Sequence, residues 1–127
     1  MKPETDSDHA ALQGRWAIVK AELAGEAMPR LVAEKTEIEL SAGTYVVRFD
    51  GQAADRGTYL LGATPVHRGL TLIGVEGPNA GRTIPAIYQL VGDRLRVCYG
   101  IDGQAPDSFV TTPESSLYLV TYRRKTP

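Results

Sequence analysis

The chain has 127 residues, of which 43% are hydrophobic and 23% are charged, so it is long and apolar enough for one domain with its own core. Its formal net charge of −1 excludes the general basic field on which non-specific nucleic-acid binding relies, and we expect no nucleic-acid partner. The single cysteine, Cys98, excludes an internal disulfide and a thiolate metal cluster.

The N-terminal segment carries no signal that would direct the chain to a membrane. Residues 1–8 contain no apolar stretch typical of a secretory signal peptide, and no apolar run in the chain approaches the length of a membrane span. We therefore expect a cytoplasmic protein with no membrane partner. The expected organisation is a single domain over 1–127, in which residues 1–7 are disordered.

Two short helical turns are predicted in the first third of the chain. Asp8 is a typical N-cap for a turn over 9–13, and Gly14 is a typical stop for it. Pro29 is typical of the start of a second turn over 29–35. Both turns are too short to form a helical layer, so strands must supply the core.

The rest of the chain consists of short β-rich runs separated by turn signals. The eight predicted strands begin near Gly14, Thr36, Thr44, Arg56, Gly69, Arg82, Arg94 and Leu117. Starts of the second to seventh strands lie too close together for crossover helices, which predicts antiparallel pairing. The predicted fold class is therefore all-β: an eight-stranded antiparallel up-and-down barrel with a short N-terminal helical turn.

Alternation along each strand predicts which side chains face the interior of the barrel. The predicted aliphatic members are Ile38, Leu40, Val47, Leu61, Leu70, Leu72, Leu90, Leu95 and Val97. The aromatic members are the candidate ligand-binding residues: Tyr45, Phe49, Tyr59, Tyr88 and Tyr99. A buried phenol needs a hydrogen-bond partner or a cavity that holds water or a ligand. An eight-stranded barrel is just wide enough to be filled by side chains or to hold one small ligand, so both interpretations stay open.

Cys98 has the opposite parity to these interior residues and is predicted to face outward beside Arg96. A neighbouring cation favours the thiolate and would lower the pKa of this cysteine. A free cysteine in a strand is more often a small, packed apolar residue, and we favour that interpretation.

The first predicted strand opens with Leu12-Gln13-Gly14-Arg15-Trp16, which contains the Gly-x-Trp signature of lipocalins and their relatives. More specifically, the chain resembles a family of small bacterial lipocalin-like (calycin-type) domains with no established activity. The segments that carry this resemblance are 12–16, 57–61, 76–83, 87–90 and 93–99. The resemblance implies a barrel whose narrow end is closed by Trp16, with Arg123 or Arg124 of the last strand over the indole.

Motifs that would indicate catalysis or metal binding are incomplete. The segment 77–83 has one residue too few between its glycines for a phosphate-binding P-loop and has Arg in place of Lys, which favours a hairpin loop. The similar segments 50–55 and 102–107 lack the alternating ligands of a calcium loop. His67 lies in a turn-rich stretch, and we interpret it as a solvated loop residue rather than a haem ligand. We predict no catalytic residues, no metal and no cofactor.

The predicted function is a non-enzymatic, lipocalin-like binding module for a small, mostly apolar ligand in the barrel. The alternative is a structural or protein-interaction domain with a filled barrel, whose anchors would be Leu31 and Val32 if they are exposed. Its protein partner is not identified by the sequence. A third hypothesis is an enzyme that uses tyrosine and arginine groups at the barrel mouth.

Overall fold

The structure, a computed structural model, describes residues 4–63 and 67–125. The helices are α1 (Glu4–Leu12) and α2 (Arg30–Glu34). The strands are β1 (Gly14–Leu23), β2 (Glu26–Ala27), β3 (Thr36–Ser41), β4 (Thr44–Phe49), β5 (Gln52–Ala63), β6 (Arg68–Glu76), β7 (Thr83–Val91), β8 (Arg94–Gly100) and β9 (Leu117–Arg124).

All of these strands except the two-residue β2 form a closed antiparallel barrel. β1 pairs with β3, and each strand from β3 to β8 pairs with the next one along the chain. The barrel closes between the first and last strands, whose pairing runs from Trp16 opposite Arg124 to Leu23 opposite Tyr118. The predicted eight-stranded up-and-down barrel is thus confirmed, and β2 is a short addition paired with the end of β1.

The predicted strand starts agree with the structure to within one residue, except in β5. This strand begins at Gln52 rather than near Arg56. Its pairing with β4 contains an irregularity between Val47 and Arg48, and a second one lies opposite β6 between Arg56 and Gly57. Bulges insert an unpaired residue and interrupt strict alternation, which hides the first part of β5 from a pattern of period two.

The two helical turns occur where the sequence indicates them. α1 ends two residues before Gly14 but begins at Glu4, ahead of the expected cap Asp8. Of the segment 1–7, for which disorder is predicted, residues 1–3 lie outside the described residues. α2 follows Pro29 directly and lies within the predicted turn over 29–35.

The strand register defines two ends of the barrel. The closed end carries α1, the start of β1 and the end of β9, together with the β3–β4 turn. The open end carries the β4–β5 turn, the β6–β7 loop over 77–82 and the β8–β9 connection over 101–116. Every barrel strand contributes side chains to the buried core between the two ends.

Most of the interior residues predicted by alternation belong to the buried core. The buried ones are Ile38, Leu40, Tyr45, Tyr59, Leu70, Leu72, Tyr88, Leu95, Val97 and Tyr99. Three more, Val47, Leu61 and Leu90, are half-buried against that core. Phe49 departs from the prediction, because 43% of its surface is exposed. It is the last residue of β4, after the irregularity in the β4–β5 pairing, and so lies at the rim of the open end.

The outer face of β8 is covered by the β8–β9 connection. A Cβ at Gly100 would collide with the backbone oxygen of Gln104, which places this connection directly on the strand. Cys98 has the outward parity that was predicted, yet it is fully buried and is not part of the interior core cluster. Burial raises the pKa of its thiol and outweighs the opposing effect of Arg96. The burial and the raised pKa confirm the favoured interpretation of Cys98 as a packed apolar residue.

Candidate functional site

The closed end is sealed by Trp16 and a single arginine. The Trp16 side chain is fully buried, and its indole nitrogen donates a hydrogen bond to the Leu12 carbonyl at 2.9 Å. The guanidinium carbon of Arg124 lies 4.3 Å from the centroid of the indole, in cation–π geometry. The same guanidinium donates to the carbonyls of Ala11 and Gln13, which ties the end of α1 to β9. Arg124 thus occupies the position expected of a covering basic residue, whereas Arg123 is exposed.

Two of the candidate tyrosines belong to this sealed end. The Tyr59 hydroxyl accepts a hydrogen bond from the Gln13 amide at 2.9 Å. The Tyr88 hydroxyl donates to the buried carboxylate of Asp8 at 2.6 Å, and Arg68 lies 3.3 Å from the same oxygen. Their phenols have protein partners, so these side chains fill the closed end.

Tyr45 also has a partner within the protein. It is fully buried, and its hydroxyl donates to Oδ2 of Asp55 over 3.4 Å. Burial and the neighbouring carboxylate raise the pKa of Tyr45 to about 12, so the phenol is neutral and acts as a donor. Three of the five candidate ligand-binding residues are therefore engaged in the packed part of the barrel.

A cavity of about 280 Å³ occupies the open end of the barrel and is partly open to solvent. Its wall is mainly aliphatic and includes Ile18, Ile38, Val47, Leu72, Ile84 and Ile101. Tyr99 is the one candidate ligand-binding residue that lines it. Hydrophobic walls with few polar groups are typical of small-molecule sites, and the volume lies just below their usual range of about 300–1,000 Å³.

Three tyrosines form one side of this cavity. The hydroxyls of Tyr99 and Tyr122 lie 2.9 Å apart and share a hydrogen bond. The rings of Tyr99 and Tyr118 are stacked, with centroids 5.8 Å apart and an interplanar angle of 26°. Burial raises the pKa of all three phenols above the usual value, so this side of the cavity is aromatic and uncharged.

The other polar side of the cavity is formed by Asp55. Only 8% of this residue is exposed. Its Oδ2 accepts hydrogen bonds from Tyr45 and from the side-chain amide of Asn79, the latter at 2.8 Å. Its Oδ1 is buried and has no hydrogen-bond partner among the described residues. Glu37 also lines the cavity, but its carboxylate is paired with Arg15 and Lys125. Asp55 is therefore the carboxylate of the cavity wall that has no cationic partner among the described residues.

The β6–β7 loop covers part of the cavity through Pro78 and Asn79. Arg82 holds the loop from its far side, because its guanidinium donates to the Asn79 side-chain oxygen at 3.2 Å and to the Ile101 carbonyl. The P-loop-like segment 77–83 is thus a connection between two antiparallel strands, as the sequence favoured. Asn79 of this segment lines the cavity, and Arg82 holds Asn79 in place.

Sequence reasoning did not single out Asp55, Tyr118 or Tyr122. Asp55 has the inward parity of Gly57 and Tyr59, but the predicted strand began at Arg56 and left it out. Tyr118 and Tyr122 share a parity with the fully buried Val120, and the same alternation would have found them in the last strand. The alternation of inward-facing positions therefore indicates Asp55 in β5 as well as Tyr118 and Tyr122 in β9.

The remaining candidates lie away from the cavity. His67 has a ring nitrogen 3.0 Å from the Asp107 carbonyl and packs edge-on against Phe109. Within 4–63 and 67–125, no group of three or more His, Cys, Asp or Glu side chains is placed to hold a metal ion. No helix in the described part of the chain is long and apolar enough to cross a membrane.

Comparison with known proteins yields no relative, since no family model, curated protein or solved structure matches the chain.

Proposed function

We propose that the protein is a non-enzymatic, lipocalin-like binding module that holds one small, mostly apolar molecule at the open end of its barrel. The observation that carries this proposal is the cavity of about 280 Å³ in a barrel whose other end is packed. At about 30 Å³ per water molecule, the cavity has room for roughly nine waters, and so for a ligand of roughly as many non-hydrogen atoms.

The arrangement of the walls supports a preformed site. Aliphatic side chains of β1, β3, β6 and β7 surround the space, while the hydroxyls of Tyr99 and Tyr122 are fixed by their mutual hydrogen bond. A rigid site loses little conformational freedom when a ligand binds, so even a small apolar surface can give measurable affinity. The lipocalin-like character of the module rests on the barrel and on the Trp16–Arg124 closure.

An NMR titration with p-cresol tests the proposal. We expect saturable chemical-shift changes at the open end, centred on Leu72 and Ile84, and little change around Trp16. The variant Val47→Trp places an indole where a half-buried cavity residue stands, and it should abolish the saturable changes.

Leu60→Trp is the matched control, because Leu60 does not line the cavity and is 61% exposed. This variant should bind p-cresol like the wild type. Saturable binding that survives in Val47→Trp, or the absence of any saturable change in the wild type, would contradict the proposal.

A protein-interaction role is the second candidate, and it is favoured by the exposure of α2. Leu31 is 73% exposed and Val32 is 38% exposed, so both predicted anchors are available on the surface. If this role is correct, Leu31→Asp should reduce capture of a partner protein from a lysate while leaving p-cresol binding unchanged. Unchanged capture by this variant would argue against the role.

A further inference from the structure

Asp55 is unusual because its carboxylate is buried without a cationic partner. No ion pair of Asp55 is found among the described residues, and the side chain of its neighbour Arg56 is paired with Glu76 at 3.5 Å. The two groups that contact Asp55, the Tyr45 hydroxyl and the Asn79 amide, are neutral. Burying an ionised carboxylate is costly unless charge and hydrogen bonds compensate it.

A purely structural role accounts for one oxygen of the Asp55 carboxylate, Oδ2, but not for the other, Oδ1. The hydrogen bond from Asn79 to Oδ2 fastens the β6–β7 loop over the cavity, and the bond from Tyr45 anchors the same oxygen. Oδ1 takes part in neither contact and is shielded from solvent. An ionised carboxylate accepts about four hydrogen bonds, so Asp55 retains capacity for a further donor.

The opposite wall of the cavity has the complementary property. Tyr99, Tyr118 and Tyr122 line it with neutral aromatic rings, two of them stacked. The face of a phenol ring attracts cations, and the attraction strengthens when water is excluded. A carboxylate and a set of aromatic rings around one apolar space are the groups that together recognise an organic ammonium ion.

We propose that the ligand of this cavity is a small hydrocarbon carrying a primary or secondary ammonium group, which pairs with Asp55 while the hydrocarbon body packs against Leu72 and Ile84. This inference rests on the proposed function and narrows it to one class of ligand. The ammonium supplies the positive charge that the Asp55 carboxylate lacks, and the tyrosine wall surrounds the adjoining carbon atoms.

Calorimetric titration with a matched pair of probes tests this inference. Phenethylamine and 2-phenylethanol have nearly the same size and shape, and they differ in whether the terminal group is an ammonium or a hydroxyl. At near-physiological salt, which screens interactions with surface charges, we expect wild-type protein to bind the amine about tenfold more tightly than the alcohol. Equal affinities, or tighter binding of the alcohol, would overturn the inference.

Two asparagine variants locate the origin of the preference. Asp55→Asn keeps the size of the side chain and removes its charge, and it should make the affinities for the two probes equal by weakening amine binding. Asp50→Asn makes the same change of charge at an exposed position in the β4–β5 turn at the same end of the barrel. It should keep the wild-type preference, and loss of the preference in this control would overturn the assignment to Asp55.

The outcomes separate the inference from the proposed function. If both probes bind the wild type equally and both are lost in Val47→Trp, the cavity binds ligands but does not select ammonium ions. If neither probe binds, the proposed function and the inference both fail. Should Asp55→Asn not fold, the ratio of the two affinities in the wild type still decides the inference, because that measurement needs no variant.

Discussion

Trp16 and Arg124 show how two side chains can close one end of a barrel. The indole is buried beneath the end of α1, and the guanidinium covers it while donating to the carbonyls of Ala11 in the helix and Gln13 just after it. Trp16→Ala should lower the free energy of unfolding by about 3–5 kcal/mol, because it removes a large buried side chain and leaves a cavity. Urea unfolding followed by circular dichroism measures the loss, and near-wild-type stability would contradict a sealing role for Trp16.

Arg123 and Arg124 are neighbours in β9, so the same substitution at each position compares an exposed arginine with the one that covers Trp16. Arg124→Met should cost about 1–3 kcal/mol, since it removes the cation–π contact and leaves the carbonyls of Ala11 and Gln13 without a donor. Arg123→Met changes an exposed side chain and should alter stability by no more than about 0.5 kcal/mol. Paired thermal and urea melts measure the loss of stability in each variant. Equal losses in the two variants would contradict a sealing role for Arg124.

At the level of single residues, the sequence predicts which positions are buried better than it predicts what they contact. Alternation correctly places Tyr45, Tyr59 and Tyr88 in the interior. It cannot predict that their hydroxyls meet Asp55, Gln13 and Asp8, because those partners come from other segments of the chain. Distinguishing a filling tyrosine from a cavity tyrosine such as Tyr99 requires knowledge of these non-local contacts.

Among the structural elements, the β6–β7 loop matters most for the cavity because it forms part of the wall. It packs closely on β6, where the amide of Gly74 donates to the Arg82 carbonyl at 2.9 Å and the Gly74 carbonyl accepts from Gly81 at 2.9 Å. A Cβ at Gly74 would collide with the backbone of Asn79. The loop can keep its position only if residue 74 has no side chain.

Gly74→Ala should therefore displace the loop, cost about 1–3 kcal/mol through overpacking, and weaken p-cresol binding. Gly62→Ala in β5 is the matched control, because a Cβ there meets no atom within 4 Å, and it should leave both properties near their wild-type values. Denaturant unfolding and the NMR titration report the two effects. Unchanged binding in Gly74→Ala would show that the loop does not shape the site.

The strands and their order in the sheet can largely be predicted from the sequence, for a physical reason. Turn residues such as Asp50-Gly51 separate runs of alternating residues, and pairing between consecutive strands follows from the short connections. The β8–β9 connection is different, since it has no periodicity and its path over Gly100 is set by tertiary packing. The bulges in the pairing of β5 also interrupt the alternation, so the start of this strand is not predicted correctly.

For the whole molecule, the buried tyrosines predict sensitivity to alkaline pH. The pKa of Tyr45 is raised to about 12, and burial also raises the pKa of Tyr99, Tyr118 and Tyr122. The folded state therefore holds these phenolic protons more tightly than the unfolded state, in which tyrosine titrates near pH 10. Their contribution to stability is fully present below about pH 10 and is lost as the pH rises toward the folded-state values.

We accordingly expect the free energy of unfolding to fall steeply above about pH 10, with phenolate absorbance of these tyrosines appearing together with unfolding. Circular dichroism and near-ultraviolet absorbance recorded along one pH titration measure both events. Complete titration of all tyrosines near pH 10 while the protein stays folded would contradict the burial of this cluster.

The sequence leaves open whether the barrel is filled by side chains or holds a small ligand, and the molecule as a whole combines the two. The closed end is a filled barrel, in which Trp16, Tyr59 and Tyr88 leave little space. The open end holds the cavity, bounded by Asp55 and the tyrosines of β8 and β9. The division follows from α1, which seals one end only, and this non-local packing is not visible in the strand pattern.

The most direct test of a ligand-binding cavity at the open end is a crystal structure of the protein grown with p-cresol. We expect electron density for one p-cresol molecule between Leu72, Ile84 and Tyr99, with Trp16 and the closed end packed as described. Protein side chains filling that space, with no density for the ligand, would contradict it.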